Sequence, residues 1–116
     1  MPSLSTEDYR YFENAIYLPM LITVLERDAE SFVSLPFKLP RPYITLVEQT
    51  LKRLRADLKV TSAYLTRYNM RLVREKIADD TTEYTFISSG FEERRKYSNA
   101  ELRQKSEELL ITYFTQ

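Results

Sequence analysis

The sequence contains no cysteine, no histidine and no tryptophan, and it has a single glycine, Gly90. Without cysteine and histidine, the chain can form no disulfide, no thiolate nucleophile, no Ser-His-Asp triad and none of the usual zinc or iron sites. One glycine cannot build the glycine-rich loop that cradles phosphates. These absences predict a protein that is not an enzyme and that holds no cofactor.

Long apolar runs are also lacking. The longest run, residues 15–25, is interrupted by Pro19 and Thr23, whereas a membrane-spanning helix needs about 20 apolar residues. The first residues are acidic at Glu7 and Asp8, where a signal peptide would carry positive charge. We therefore expect a cytoplasmic protein with no membrane partner.

What is present is the composition of one small domain spanning residues 1–116. Apolar residues make up 43% of the chain and charged residues 29%, with 17 basic side chains against 17 acidic ones. This balance is typical of a folded chain rather than a disordered one. The sequence also has nine tyrosines and six phenylalanines, residue types that are enriched in the centres of protein interfaces.

Two long helices are predicted in the first part of the chain. Ser5 followed by Glu7 and Asp8 predicts a helix over 6–30, kinked or broken at Pro19 because an interior proline removes a backbone hydrogen bond. A second helix is predicted over 42–68. Its apolar side chains recur with heptad spacing and form what we call the seam: Ile44, Val47, Leu51, Leu54, Leu58, Thr61, Leu65 and Tyr68.

The connector between these helices, residues 34–42, holds three of the five prolines. Residues that precede proline favour extended geometry, so this segment is predicted to be an ordered, polyproline-like loop. Such a loop could also serve as a ligand for SH3 domains. We interpret it as a stiff connector in which Phe37 and Leu39 cover the core.

After residue 69 the apolar period changes to two, which predicts a β-hairpin with strands 70–77 and 82–89. Pairing Ile77 with Thr82 places Val73 opposite Phe86 and gives the hairpin one apolar face. Residues 91–97 are predicted to form a short helix, and a capping box at 98–101 opens a last helix over 99–115. The predicted fold class is α+β, mainly α, with two long helices, a β-hairpin and a C-terminal helix.

Several stretches resemble a known family of small proteins from Gram-positive bacilli, the YhjD-like group. The resemblance rests on Ala-Ile-Tyr-Leu-Pro-Met-Leu at 15–21, Glu-Arg-Asp at 26–28, Pro-Phe-Lys-Leu-Pro-Arg-Pro-Tyr at 36–43 and Gly-Phe-Glu-Glu at 90–93. It implies a cytoplasmic bacterial protein. The group has no assigned activity, so the resemblance assigns no functional residue.

The acidic residues suggest no catalytic or metal site. Asp79 and Asp80 lie together in the hairpin loop, but a hard cation requires more oxygen ligands than this loop supplies. The other acidic pairs fall at predicted helix ends and on polar helix faces. We therefore predict no catalytic residue, no metal ligand and no cofactor-binding residue.

The surplus of apolar helix surface predicts a non-catalytic interaction or structural module that self-associates. A monomer with so few elements would leave part of the seam exposed to water, and exposed apolar patches usually mark interfaces. The expected assembly is a homodimer, with a further, unidentified protein partner possible. The candidate interface residues are Leu18, Leu21, Ile22, Leu25, Leu51, Leu54 and Leu58.

The alternative hypothesis is a nucleic-acid-binding protein that uses the basic segment 38–76. This segment has a net charge of +7, while the segments before and after it carry −4 and −3. The candidate contacts to nucleic acid are Arg53, Arg55, Arg71, Arg74 and Lys76. The sequence isoelectric point near 6.3 is lower than is usual for nucleic-acid-binding domains.

Overall fold

The computed structural model describes residues 4–116, which fold into three α-helices and a three-stranded antiparallel sheet. In chain order the elements are α1 (Thr6–Phe32), α2 (Arg41–Arg67), β1 (Met70–Ile77), β2 (Thr81–Ser88), β3 (Phe91–Ser98) and α3 (Asn99–Phe114). The described chain is elongated, with principal extents of 58 × 33 × 19 Å. The predicted α+β, mainly α class is confirmed.

Helices α1 and α2 pack against each other as an antiparallel pair and form the long axis of the molecule. A capping box starts α1: the Asp8 backbone N–H donates to Ser5 Oγ at 3.0 Å, and the Asp8 carboxylate accepts from the Ser5 N–H. The helix then continues through Pro19 to Phe32, so the chain does not break there. Leu18 and Leu21, on either side of the proline, are both buried, and their packing stabilises the helix across the missing hydrogen bond.

The β-hairpin exists, but its predicted register is wrong over most of its length. Ile77 pairs with Thr82 as expected, whereas an irregularity between Arg74 and Lys76 shifts the rest of β1 by one residue. Leu72, rather than Val73, therefore lies opposite Phe86. A one-residue shift exchanges the two faces of a strand, so Leu72 joins the helix-facing side of the sheet.

The short helix predicted over 91–97 is also wrong, because these residues form β3. Strand β3 pairs with β2 along its whole length, from Ser88–Phe91 to Thr81–Ser98. The connection is a two-residue turn, Ser89-Gly90, in which Gly90 has a φ of +76°. Glycine adopts this left-handed conformation without the steric cost that a Cβ imposes.

The core consists of two apolar clusters arranged along α1. In the first, near the sheet, Phe12 of α1 stacks on Phe86 of β2 with ring centroids 4.5 Å apart, and both side chains are fully buried. In the second, the middle of α1 meets α2 and the end of α3. The first cluster attaches the sheet to the start of α1, so the connector between α1 and α2 lies at the opposite end of the molecule.

Candidate interaction surface

Most of the seam is covered within the single chain, although Tyr68 at its end is 51% exposed. Leu54 is 0% exposed, and it packs in one cluster with leucines of α1 and with Tyr113 of α3. Of the seven candidate interface residues, Leu18, Leu21, Leu25, Leu51 and Leu54 are buried, while Ile22 and Leu58 are half-buried against the same cluster. The structure therefore brings these side chains together as intramolecular core, and they offer little free surface to a partner.

The end of α3 covers part of the seam because polar groups attach it to α2. An Arg53 Nη atom donates to the backbone oxygen of Tyr113 at 2.8 Å and lies 3.4 Å from Thr50 Oγ1. The Tyr113 hydroxyl donates to the Asp57 carboxylate. Burial, reinforced by this hydrogen bond, raises the pKa of Tyr113 well above its ordinary value. Arg53 thus holds the end of α3 against α2.

The five candidate nucleic-acid contacts do not lie on one face. Arg55 donates to Glu26 of α1 at 2.7 Å, and Arg53 is the residue that holds α3. Arg74 pairs across strands with the buried Tyr84 and lies beside Pro19 of α1. Arg71 and Lys76 pair with Ile87 and Glu83 on the opposite, outer side of the sheet.

Tyrosine–carboxylate hydrogen bonds connect the start of α1 to its neighbours. The Tyr64 hydroxyl of α2 donates to Asp8 at 2.8 Å, and the Tyr9 hydroxyl donates to Glu93 of β3. The hydrogen bond to Asp8 raises the pKa of Tyr64 to about 12. The Ser5 backbone N–H is the main reason that the pKa of Asp8 lies below its ordinary value. These groups hold helix and sheet ends together.

Two open grooves run along α3. One, of about 540 Å³, lies between α1 and α3 and includes Tyr9, Glu13, Tyr17, Lys105 and Glu108 among its lining residues. Because Lys105 and Glu108 are exposed on α3, the groove leaves their charges solvated. Within residues 4–116, no group of three or more acidic side chains is arranged to hold a metal ion.

The other groove, of about 530 Å³, has a largely apolar floor. It is formed by Met20, Leu21 and Val24 of α1 together with Leu102 and Leu110 of α3. Arg103 and Glu107 stand on its α3 side. The groove is open because α3 packs loosely against its neighbours: only Leu102 and Tyr113 of this helix are buried.

The largest concentration of exposed apolar side chains is at the end of the α1–α2 pair. Among the residues that the structure describes, six of the eleven large hydrophobic residues that are exposed fall within residues 33–46, a segment that we call the apolar tip. They are Val33, Leu35, Phe37, Leu39, Tyr43 and Leu46. The expectation that Phe37 and Leu39 cover the core is wrong, since these residues are 40% and 73% exposed and belong to neither core cluster.

An aromatic cluster gives the apolar tip its shape. Phe37 packs on Tyr43 with ring centroids 4.9 Å apart, and Phe32 lies 5.7 Å from Phe37. These contacts fold the connector back over the helix ends. Val33, which is 82% exposed, and Leu39 belong to none of these ring contacts.

All the charges of the apolar tip are positive. Lys38 and Arg41 are its charged residues, and both are exposed. The acidic residues nearest in sequence are Glu30 and Glu48, which lie outside the segment on α1 and α2. The sequence signal for this surface was the proline-rich connector, but prolines alone did not reveal whether its apolar residues face inward or outward.

Comparison with known proteins gives the family. The family model described as YhjD protein matches residues 3–116. The chain also shares 36% identity over 114 residues with "Uncharacterized protein YhjD" of Bacillus subtilis (strain 168), covering 97% of this chain and 94% of that protein. The chain therefore belongs to the YhjD family, and the predicted resemblance is confirmed. No solved structure matches the chain significantly.

Proposed function

We propose that this protein is a non-catalytic interaction module that docks through the apolar tip. The observation that carries the proposal is the clustering of exposed apolar residues at one end of the molecule, around Val33 and Leu39. Such a patch is unusual on a soluble monomer and is typical of an interaction site. The sequence has no histidine, no cysteine and no glycine-rich loop, which agrees with a role that needs no catalysis.

The apolar tip, and not the seam, is then the interaction site. Self-association through Leu51 and Leu54 would require the core to open, because both are buried against α1. Self-association through the apolar tip would bring Lys38 and Arg41 close to their own copies, and like charges in proximity are unfavourable. The homodimer predicted from the sequence would have to use one of these two surfaces, and sedimentation of the wild-type chain across a range of concentrations tests it against the 13.8 kDa monomer.

Nucleic-acid binding is the remaining alternative. The observation that favours it is the outer face of the sheet, where Arg71 and Lys76 of β1 share a side with Arg94 and Lys96 of β3. Glu83 and Glu92 lie on the same side and reduce its positive charge. A gel shift with duplex DNA at low salt tests this alternative, because binding through phosphates weakens steeply as salt rises.

The docking proposal is tested by placing a photo-crosslinking amino acid at position 39, in the apolar tip. The matched control is position 60 of α2, where Val60 is 57% exposed outside the tip. In cells that produce the protein, the probe at 39 should give adducts that the probe at 60 does not give. Equal labelling from both positions, or none from position 39, would overturn the proposal.

A further inference from the structure

We propose that the apolar tip binds the surface of a lipid bilayer that contains anionic lipids; this inference rests on the docking function proposed above. Within residues 4–116, no helix is long and apolar enough to cross a membrane. Attachment to a membrane surface needs no such helix, so the inference departs from the expectation of no membrane partner, which considered spanning helices and signal peptides only. It needs apolar side chains that reach below the headgroups together with basic side chains that remain among them.

The position of the apolar tip suits insertion. It lies at the end of an antiparallel pair of 27-residue helices, opposite the sheet, in a molecule 58 Å long. Val33 and Leu39 are its most exposed apolar side chains. The tip is therefore one protruding end of the molecule. It can enter a lipid headgroup region to a depth of about 5–10 Å without any change of fold.

The charges of the apolar tip indicate the charge of the lipid surface to which it binds. Lys38 and Arg41 are the charged residues of the tip, and Glu48 borders the groove that Arg41 lines. The segment 33–46 itself carries only positive charge and so complements an anionic surface. Long basic side chains can place their methylene groups against apolar surroundings and keep their charged ends at the headgroups. Each such residue near an anionic leaflet increases binding about fivefold. The same charges disfavour contact with a second copy of the tip.

The prolines lower the cost of placing this connector near hydrocarbon. Pro36, Pro40 and Pro42 have no backbone N–H, so the segment brings three fewer donors into a region where water is scarce. Two donors at its borders are already paired, since the Ser34 N–H donates to Ser31 O and the Ile44 N–H donates to Pro40 O. The aromatic cluster of Phe32, Phe37 and Tyr43 holds the connector in place, which reduces the conformational entropy lost on binding.

The test uses the fact that the chain has no tryptophan. A Leu39→Trp variant places one indole in the apolar tip, and an Ile111→Trp variant places one at a 61% exposed position on α3. With vesicles containing phosphatidylglycerol, the fluorescence of Leu39→Trp should shift to the blue, and that of Ile111→Trp should not. With vesicles of phosphatidylcholine alone, the shift should be much smaller.

Two further variants separate the charge contribution from the apolar one. In co-sedimentation with phosphatidylglycerol vesicles, Lys38→Gln combined with Arg41→Gln should lower the partition coefficient about 25-fold relative to the wild type. Leu39→Ser should lower it about tenfold. Val60→Ser, which changes an exposed apolar residue outside the tip, should leave it unchanged. All of these positions are exposed, so circular dichroism should show folded proteins.

The outcomes distinguish this inference from the docking function. If position 39 gives protein adducts in cells but Leu39→Trp does not respond to vesicles, the membrane inference is overturned and the docking function stands. A concentration-dependent blue shift without lipid would identify a second copy as the occupant and would also overturn the membrane inference. Equal binding to neutral and anionic vesicles would refute the role of Lys38 and Arg41. If position 39 gives neither adducts nor a vesicle response, both proposals fall.

Discussion

Replacing Leu54 by alanine tests whether the seam is core or interface. Leu54 is 0% exposed and is surrounded by side chains from three helices. The substitution removes the equivalent of about three methylene groups, worth roughly 2.4 kcal/mol at 0.8 kcal/mol each. A residual cavity adds to this loss, because neighbours on three different helices cannot all move inward. We expect a total destabilisation of about 3 kcal/mol.

Urea denaturation measures the effect. With a slope of about 1.5 kcal/mol/M, a loss of about 3 kcal/mol lowers the urea midpoint by about 2 M. A chain of this length has a free energy of unfolding of roughly 6–17 kcal/mol, so Leu54→Ala should still fold. Leu39→Ala is the control, because truncating a side chain that is 73% exposed should change the stability by less than about 0.5 kcal/mol.

The opposite result would refute the assignment of the seam to the core of a single chain. If the seam were an interface between copies, the stability of Leu54→Ala would depend on protein concentration, and its sedimentation would differ from that of the wild type. An unchanged urea midpoint together with a lower association constant would show that Leu54 contacts a second copy. The intramolecular packing described above predicts neither of these effects.

Three other predictions concern local features. Ser98→Ala removes the hydroxyl that accepts the Glu101 backbone N–H at the start of α3, so it should cost about 1 kcal/mol in urea denaturation, and Ser98→Thr should restore most of this. Gly90→Ala meets no atom within 4 Å of the added Cβ, yet it should cost about 1 kcal/mol because φ is +76°; an unchanged midpoint would contradict this conformation. Burial raises the pKa of Tyr17 and Tyr97 to about 12. The unfolded chain therefore loses these protons first, so stability should be complete below pH 10 and should fall between about pH 10 and pH 12, and Tyr17→Phe should reduce the fall.

The helices could be predicted because their signals are local. Serine caps at Ser5 and Ser98 mark the starts of α1 and α3, and the seam marks α2 over its whole length. The helix was predicted to be kinked or broken at Pro19, and it is not broken there. The sequence does not show how well the neighbouring turns are packed. Burial of Leu18 and Leu21 against α2 is a tertiary effect that overrides the local cost of the proline.

Helix propensity predicted the wrong structure for the residues of the third strand. Residues 92–96 are Glu-Glu-Arg-Arg-Lys, residue types that favour a helix when nothing else decides. Pairing with β2 decides the outcome, and the signal was Ser89-Gly90, a dipeptide that marks turns. The alternation of Phe91, Glu93, Arg95 and Tyr97 on one side was a weaker second signal, because two of these four residues are charged.

The candidate surface was the least predictable feature. The exposed area of a helix depends on what packs beside it, and the sequence did not show that α3 reaches the seam through Arg53 and Tyr113. It also did not show that Leu39 turns outward. Both outcomes depend on contacts between residues far apart in the chain, for which a single sequence carries no periodic signal.

The charged residues that made β3 resemble a helix in the sequence also affect whether the edges of the sheet can pair with other molecules. The sheet order β1-β2-β3 leaves β1 and β3 as open edges, and an open edge can recruit a strand from another molecule and begin aggregation. Five consecutive charged residues fill the middle of β3, and β1 carries Arg71, Arg74, Glu75 and Lys76 together with its irregular step. Most of these charged side chains are exposed, and adding a further strand to either edge would cost part of their hydration. The residues that make β3 a poor strand by propensity therefore protect the folded protein from growth into fibrils.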